Sequence, residues 1–272
     1  MPELPEVETT RRGIAPYLIG RRIIGVTVRN PRLRWPIAPD LASTLCGQRI
    51  HAVTRRAKYL LLAADTGQLL LHLGMSGSLR ISTPAQAYKK HDHVQWHLED
   101  DIAMRLHDPR RFGCVLWLSG EHSATHPLLA GLGPEPLEDV FDAAYLYHYT
   151  RSRIIPIKVL IMQARCVVGV GNIYASESLF MAGIRPGTAA ARLSKARCAR
   201  LVTAIKTVLQ AAIAQGGTTL RDFVREDGQH GYFRQQLQVY QRDGQPCHHC
   251  HSLIKKAVHG QRASYYCPAC QA

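Results

Sequence analysis

A chain of 272 residues, 46% of them hydrophobic, has enough apolar material for two domains, yet holds no apolar stretch long enough to span a bilayer. Its charge is one-sided, with 34 Lys and Arg against 20 Asp and Glu for a formal net charge of +14. That balance points to a polyanionic partner, nucleic acid first and an anionic membrane surface second. The first residues lack a basic segment followed by an apolar run, so no signal peptide is expected and the protein reads as cytoplasmic. Eight cysteines in such a chain argue against disulfides, and Cys46, Cys114, Cys166 and Cys198 read as scattered buried thiols.

The chain begins Met1-Pro2-Glu3-Leu4-Pro5-Glu6-Val7-Glu8. Removal of Met1 would expose Pro2 as a secondary amine. An α-amino group titrates near pH 8, so a useful fraction is neutral and nucleophilic at pH 7. Such an amine forms an iminium with a sugar aldehyde carbon, and Glu3 and Glu6 supply carboxyls for proton transfer. An ordinary helix start explains the same residues, and alone they favour it: Pro and acids at the first turn, with Val7, Ile14, Tyr17 and Leu18 on one face.

Residues 22–118 read as β. The predicted strands are Ile23–Val28, Arg49–Val53, Lys58–Ala63, Gln68–Leu73, Ser78–Ile81, Val94–Leu98, Ala103–Leu106 and Cys114–Leu118. Short strands at this spacing predict a sandwich or barrel-like sheet pair. Gly131-Leu132-Gly133-Pro134-Glu135-Pro136 is a breaker-rich junction, beyond which the pattern turns helical. Helices are predicted over Leu137–Thr150, Pro156–Gln163, Asn172–Met181 and Ser194–Ala214, the last ended by Gly216-Gly217. Gly228 to Phe233 reads as a mobile loop, and Leu237 opens a small last module.

In that module Cys247-x2-Cys250 and Cys267-x2-Cys270, separated by sixteen residues, predict two knuckles around one structural zinc. The alternating sequence between them predicts a β-hairpin turning at His259-Gly260, with Lys255, Lys256 and Arg262 at its tip. So small a hairpin depends on the metal for stability. His248, His249 and His251 are alternative ligands of lower rank than the four cysteines.

Several other stretches carry chemistry or ordinary structure equally well. His72-Leu73-Gly74-Met75-Ser76-Gly77 offers Met75 as a wedge for a base stack, or as a core methionine. Asp108-Pro109-Arg110-Arg111-Phe112-Gly113 suits phosphate and base contact, or is a solvated loop. Arg55-Arg56-Ala57-Lys58-Tyr59 is a basic run in which Lys58 matters only if it faces the Pro2 amine. Gly169-Val170-Gly171-Asn172 is a glycine turn into a helix, with Asn172 as cap and backbone amides suited to phosphate.

Together these segments resemble formamidopyrimidine-DNA glycosylases over essentially the whole chain. The likeness also includes Lys90-His91-Asp92-His93, Gly216-Gly217-Thr218-Thr219-Leu220 and the tail closing on Cys270-Gln271. The resemblance implies an α+β fold: an N-terminal β-sandwich over 1–132, a helical helix-two-turns-helix domain over 133–236 and a C-terminal zinc-bound β-hairpin over 237–272. DNA would lie in the cleft between the two halves. The implied activity is excision of oxidised purines (8-oxoguanine, formamidopyrimidines) from duplex DNA, then cleavage of the abasic strand by β,δ-elimination. Pro2 would be the nucleophile at the sugar C1′, Glu3 would assist proton transfer, and Glu6 would be a supporting carboxylate. Lys58 corresponds to a proton donor in β-elimination and Arg262 to a residue of δ-elimination.

For the DNA, the resemblance makes Met75, Arg110 and Phe112 fill the void left by a flipped nucleotide, with Arg110 facing the orphaned cytosine. His91 and Arg110 match DNA contacts, and Arg153 stands where a lysine is usual. His72, Lys158, Asn172 and Arg262 would grip phosphates, and Thr218 to Tyr232 would cover the flipped base. Gln163-Ala164 replaces an acidic-amide pair and Gln241 a usual glycine, both read as matters of local packing. One zinc, no membrane, a monomer and a bacterial, nucleoid-associated location complete the expectation. Two rivals stand beside it. An endonuclease VIII-type enzyme for oxidised pyrimidines usually has glycine where Leu4 stands. A non-catalytic zinc-ribbon nucleic-acid-binding protein would explain the charge and cysteines but not Pro2, Glu3 and Glu6.

Overall fold

Two four-stranded antiparallel sheets dominate the first part of this computed structural model, which describes residues 2–120, 125–217 and 237–272. Helix α1 (Leu4–Leu18) precedes β1 (Ile23–Val28), and α2 (Leu41–Leu45) leads into β2 (Ile50–Arg56), β3 (Tyr59–Ala64), β4 (Gly67–His72) and β5 (Ser78–Ser82). Then follow β6 (Asp92–Leu98), β7 (Ile102–His107), β8 (Cys114–Ser119) and α3 (Pro127–Ala130). The sheets run β1-β6-β7-β5 and β2-β3-β4-β8. Leu60, Leu62, Leu69 and Leu71 meet Leu79, Trp96, Met104 and Leu106 in one core, closed by Val7, Ile14 and Leu18 of α1. Leu61, Leu70, Cys114 and Leu118 face the other way, where Leu128 and Leu129 of α3 pack against them. The runs Leu60–Leu62 and Leu69–Leu71 are thus unbroken because both faces of this sheet are covered. Tyr17, expected on the core face of α1, is exposed, and so is Cys46, expected to be buried.

The second unit, among the described residues, comprises 131–217 and 237–272. It holds α4 (Ala143–Thr150), α5 (Ile157–Ile161), α6 (Asn172–Met181), α7 (Lys195–Ala214), β9 (Lys255–His259) and β10 (Arg262–Tyr266). The helix predicted from Leu137 starts later, where Asp142 caps it by accepting from Tyr145 N at 2.7 Å. From Ile173 to Phe180 every residue of α6 is buried, so it is the central helix of this core. Helix α7 lays Leu201, Ile205 and Leu209 against it and ends at Gly216 and Gly217, both at positive φ. Phe180 continues into a small cluster with Val239, Ile254 and Tyr265, joining the hairpin module to the helices. Lys255 pairs with Tyr266 and Lys256 with Tyr265 towards the base of the hairpin, so of the three expected cations Arg262 alone lies next to its tip. Among the described residues no helix is long and apolar enough to cross a membrane. Gly228 to Phe233, expected as a mobile loop, and Thr218 to Tyr232, expected to cover the flipped base, lie outside the described residues.

Candidate functional site

Glu3 is the N-cap of α1, so Pro2 stands just outside the helix. Glu3 and Glu6 form a capping box in which the Glu3 amide donates to Glu6 Oε2 at 2.8 Å. Both carboxyls are almost wholly buried, at 2% and 1% exposure, beside the half-buried Pro2. Few helix starts enclose two acids this fully, since a solvated cap serves the helix as well. The helix cap and the buried carboxyl pair that follows Pro2 are therefore the same structure.

Lys58 lies in the two-residue turn Ala57-Lys58 joining β2 to β3. Its charge bears on His72 at the end of β4. Burial first, then Lys58 and Arg34, lowers the His72 pKa to about 4, so the ring is neutral at pH 7. His72 Nδ1 accepts from Gly74 N at 2.9 Å, which puts the ring proton on Nε2. A neutral imidazole with a fixed N–H can donate to a phosphate oxygen.

The β4–β5 and β7–β8 loops are knitted together. Asp108, fully buried, accepts from Ser76 Oγ at 2.8 Å through Oδ1 and from Gly113 N at 2.8 Å through Oδ2. Gly74, at φ 60°, lies against the Phe112 backbone so closely that a Cβ would come within 2.4 Å of it. The result places Met75, Arg110 and Phe112 on adjoining loops, all three exposed. Arg110 lies over the Phe112 ring, 4.7 Å from its centroid. An exposed methionine and phenylalanine on backbone this tightly fixed fit wedges better than core residues or a loose solvated loop.

His91 begins a third DNA-facing candidate. Its ring is 5.8 Å from that of His107, which bonds Asp92 through Nδ1 at 2.9 Å. Partial burial, together with His107, Lys90, His93 and Arg111, lowers its pKa. The buried Arg105 shapes the preceding loop by donating to the carbonyls of Thr83, Pro84, Gln86 and Ala87.

In the second unit, Lys158 is buried to 1% exposure and donates from Nζ to Asn172 Oδ1 (2.6 Å), Ala263 O (2.6 Å) and Ser264 Oγ (2.9 Å). Three acceptors match the three protons of an ammonium. Lys158 thus sits beneath the phosphate-binding candidates and turns the Asn172 amide so that its NH2 end is left to donate. Gly171, not Asn172, is the N-cap of α6; Asn172 is its first residue. Arg262 is exposed next to Ala263, on the strand that Lys158 holds. Arg153 lies 3.9 Å above the Tyr149 ring and donates to Tyr149 O.

The four C-terminal thiols lie within 4.8 Å of one another. Sγ atoms of Cys247 and Cys270 are 3.9 Å apart and those of Cys250 and Cys267 3.3 Å, far beyond a disulfide bond. Tetrahedral zinc with Zn–S of about 2.3 Å needs edges of roughly 3.8 Å, so the cluster fits one zinc ion. Backbone amides of His249 and Cys270 point at Cys247 Sγ and Cys267 Sγ, each at 3.4 Å, as expected for thiolate knuckles. The alternative ligand His249 instead packs on Phe180, with ring centroids 5.1 Å apart. With four sulfurs the coordination is complete and the metal structural.

The structure thus gathers Pro2, Glu3 and Glu6; Lys58 and His72; Met75, Arg110 and Phe112; and Lys158, Asn172 and Arg262. Sequence reasoning overlooked the residues that hold these groups: Glu8 and Arg55, Asp108, Arg105, Ser264 and Glu177. Glu177 accepts the amides of Gln238, Val239 and Tyr240 at 2.8 to 3.0 Å, fixing the start of the zinc module. Of these only Glu8 left a visible signal, as the partner of Arg11 and Arg12 on one helix face.

Known proteins share this build. Residues 1–115 match the family model for the formamidopyrimidine-DNA glycosylase N-terminal domain, 132–224 that for its H2TH domain, and 244–272 a zinc finger found in FPG and IleRS. The formamidopyrimidine-DNA glycosylase of Thioalkalivibrio sulfidiphilus is 63% identical over 271 residues, spanning 100% of both chains. That of Thiobacillus denitrificans is 59% identical over the same span. Among solved structures, Lactococcus lactis Fpg in complex with abasic-site DNA is similar at a TM-score of 0.92, with 32% identity and 99% of each chain covered. MutM in complex with DNA containing carbocyclic 8-oxo-G is similar at a TM-score of 0.91, with 33% identity and 99% of each chain covered. A shared sequence over the full length and a shared fold make this chain a member of the formamidopyrimidine-DNA glycosylase family.

Proposed function

We propose that the protein removes oxidised purines from duplex DNA and cuts the resulting abasic strand through a covalent iminium on Pro2. The observation that carries this reading is the pair of buried carboxyls, Glu3 and Glu6, in the capping box of the helix that begins just after Pro2. Relatives of the same name, and solved relatives bound to abasic-site and 8-oxo-G DNA, support it. The oxidised-purine reading is preferred to the pyrimidine-specific rival because those relatives carry the formamidopyrimidine name.

Chemically, the neutral Pro2 amine attacks C1′ of a flipped nucleotide. The N–C1′ bond forms, the glycosidic bond breaks, and the base leaves with the electron pair and takes up a proton as the attacking amine gives up its own. Sugar ring opening then gives the iminium, with Glu3 passing a proton to the ring oxygen and Glu6 supporting it. The iminium draws electrons from C2′, which loses a proton as the 3′ phosphate is expelled; δ-elimination then expels the 5′ phosphate. Lys58 serves the first elimination and Arg262 the second. Met75 and Phe112 occupy the emptied stack, and Arg110 faces the widowed cytosine. His72, His91, Arg153 and Asn172 hold the backbone, Asn172 being set by Lys158. The Cys247, Cys250, Cys267 and Cys270 thiolates hold zinc, whose part is to fold the hairpin that carries Arg262. We place this activity in a monomer working at the nucleoid of the cytoplasm.

The test is borohydride reduction of the protein on duplex DNA containing an abasic site. With Met1 absent by mass, the expected result is a covalent adduct on the N-terminal peptide. A protein with a free Pro2 that binds this DNA and leaves no adduct would falsify the lyase assignment and favour the non-catalytic zinc-ribbon alternative.

A further inference from the structure

Arg55 links the two parts of the reaction chemistry that lie in the first unit. It sits near the end of β2, paired with Leu60. Its Nε donates to Glu8 Oε2 at 3.3 Å, and its Nη1 donates to Ala57 O at 2.9 Å. Glu8 belongs to α1, the helix capped by Glu3 and preceded by Pro2. Ala57 O belongs to the peptide that joins Ala57 to Lys58. One guanidinium therefore fixes the plane of the Lys58 amide and ties it to the helix that bears the amine.

The turn has need of this hold. Ala57 adopts φ 55°, a left-handed conformation that disfavours a residue with a Cβ, and is 3% exposed. The Arg55–Glu8 pair is sheltered, at 12% and 11% side-chain exposure, so solvent weakens it little. A second strap runs beside it, from Arg11 Nη1 to Val53 O at 3.3 Å. Glu8 keeps Arg11 and Arg12, each at 2.8 Å, when Arg55 is lost. Removing Arg55 thus leaves no buried charge alone, whereas removing Glu8 leaves three cations facing one another.

We propose that Arg55 is a positioning residue for strand cleavage, setting Lys58 against the Pro2 helix through Ala57 O and Glu8. This rests on the functional reading above, in which Lys58 gives a proton during β-elimination. A displaced donor costs rate without costing DNA affinity, since geometry alone changes.

The experiment compares wild type, Arg55→Met, Arg55→Lys, Lys58→Met and the Arg55→Met/Lys58→Met double variant. Single-turnover cleavage of abasic-site duplex is measured alongside affinity for a duplex with a tetrahydrofuran site and the melting temperature. Arg55→Met is expected to cut roughly tenfold more slowly with affinity within about twofold, in line with a misplaced group. Arg55→Lys keeps a cation beside Glu8, and with it the fold, but loses the two-pronged grip; an intermediate rate is expected. In the Lys58→Met background, Arg55→Met is expected to slow cleavage no further, because residues acting through one another are not additive. Unchanged cleavage in both Arg55 variants, or equal losses in both backgrounds, overturns the proposal. Failure of wild type itself to form the borohydride adduct would instead bring down the functional reading.

Discussion

Ser76 donates its hydroxyl to Asp108 across 2.8 Å, joining the loop that carries Met75 to the loop that carries Arg110 and Phe112. The same Oγ accepts the Arg110 amide at 3.2 Å. Ser76→Ala removes both bonds and costs on the order of 1–3 kcal/mol, because a buried carboxylate loses a donor. A melting temperature lower by roughly 2–4 °C per kcal/mol is expected. Base excision from an 8-oxoguanine duplex should slow about tenfold, equivalent to roughly 1.4 kcal/mol. Cleavage at a preformed abasic site, which has no base to extrude, should change much less. Equal slowing of both would mean that the loops serve stability and not base extrusion.

Arg110 and Asn172 are expected to contact DNA in physically different ways. A cation at a phosphate releases a counterion, whereas an amide does not. With about five phosphates neutralised, log affinity should fall against log salt with a slope near roughly −4.5. Arg110→Ala should flatten that slope by about 0.9 if its guanidinium neutralises a phosphate, and leave it intact if it reads only the cytosine. Asn172→Ala should weaken binding at every salt concentration without changing the slope. Titrations at four ionic strengths separate these outcomes.

His72 makes the fold sensitive to mild acid. Its pKa falls from 6.5 to about 4 in the folded protein, chiefly through burial. Below pH 6.5 the unfolded chain takes up a proton that the folded chain refuses. Its stabilising effect is therefore complete above pH 6.5 and is lost as pH falls towards 4, by about 2 kcal/mol at pH 5. His72→Asn keeps an acceptor for Gly74 N but cannot titrate. Urea midpoints at pH 7.5 and 5.0 should converge for the variant relative to wild type. Parallel shifts in both proteins would remove His72 as the cause.

Gln241, where the sequence resemblance leads one to expect glycine, has a φ of 58°. The departure concerns backbone conformation more than packing, since a left-handed residue with a Cβ carries strain of about 1–2 kcal/mol. Glycine relieves this but loses more entropy on folding, by roughly 0.5–1 kcal/mol. Gln241→Gly is expected to stabilise the second unit by a fraction of 1 kcal/mol, seen as a higher urea midpoint with an unchanged m-value. A lower midpoint would show that the Gln241 side chain contributes more than its backbone costs.

Sequence patterns were most legible where burial is periodic. The eight strands of the sandwich follow from short apolar runs between turns, and α6 matches its predicted span, Asn172–Met181. Helices α2 and α3 are too short to show a period; α3 is explained only by the outer sheet face that it covers. Metal ligands were legible because their spacing is local. The holding residues were not, because their partners are distant in sequence. Arg55 meets Glu8 across 47 positions and Lys158 meets Ser264 across 106. Nothing in a basic run such as Arg55-Arg56-Ala57-Lys58 says which cation will be buried.

The capping box at Glu3 and Glu6 has a practical consequence for anyone producing this protein. The helix closes behind Pro2, so an affinity tag fused ahead of it leaves cap, sandwich and zinc hairpin intact. The fusion nevertheless turns the secondary amine into an amide with no lone pair to give. If Pro2 is the nucleophile, as proposed above, such a preparation would look folded and bind damaged DNA, yet would form no borohydride adduct until the tag was cut flush with Pro2.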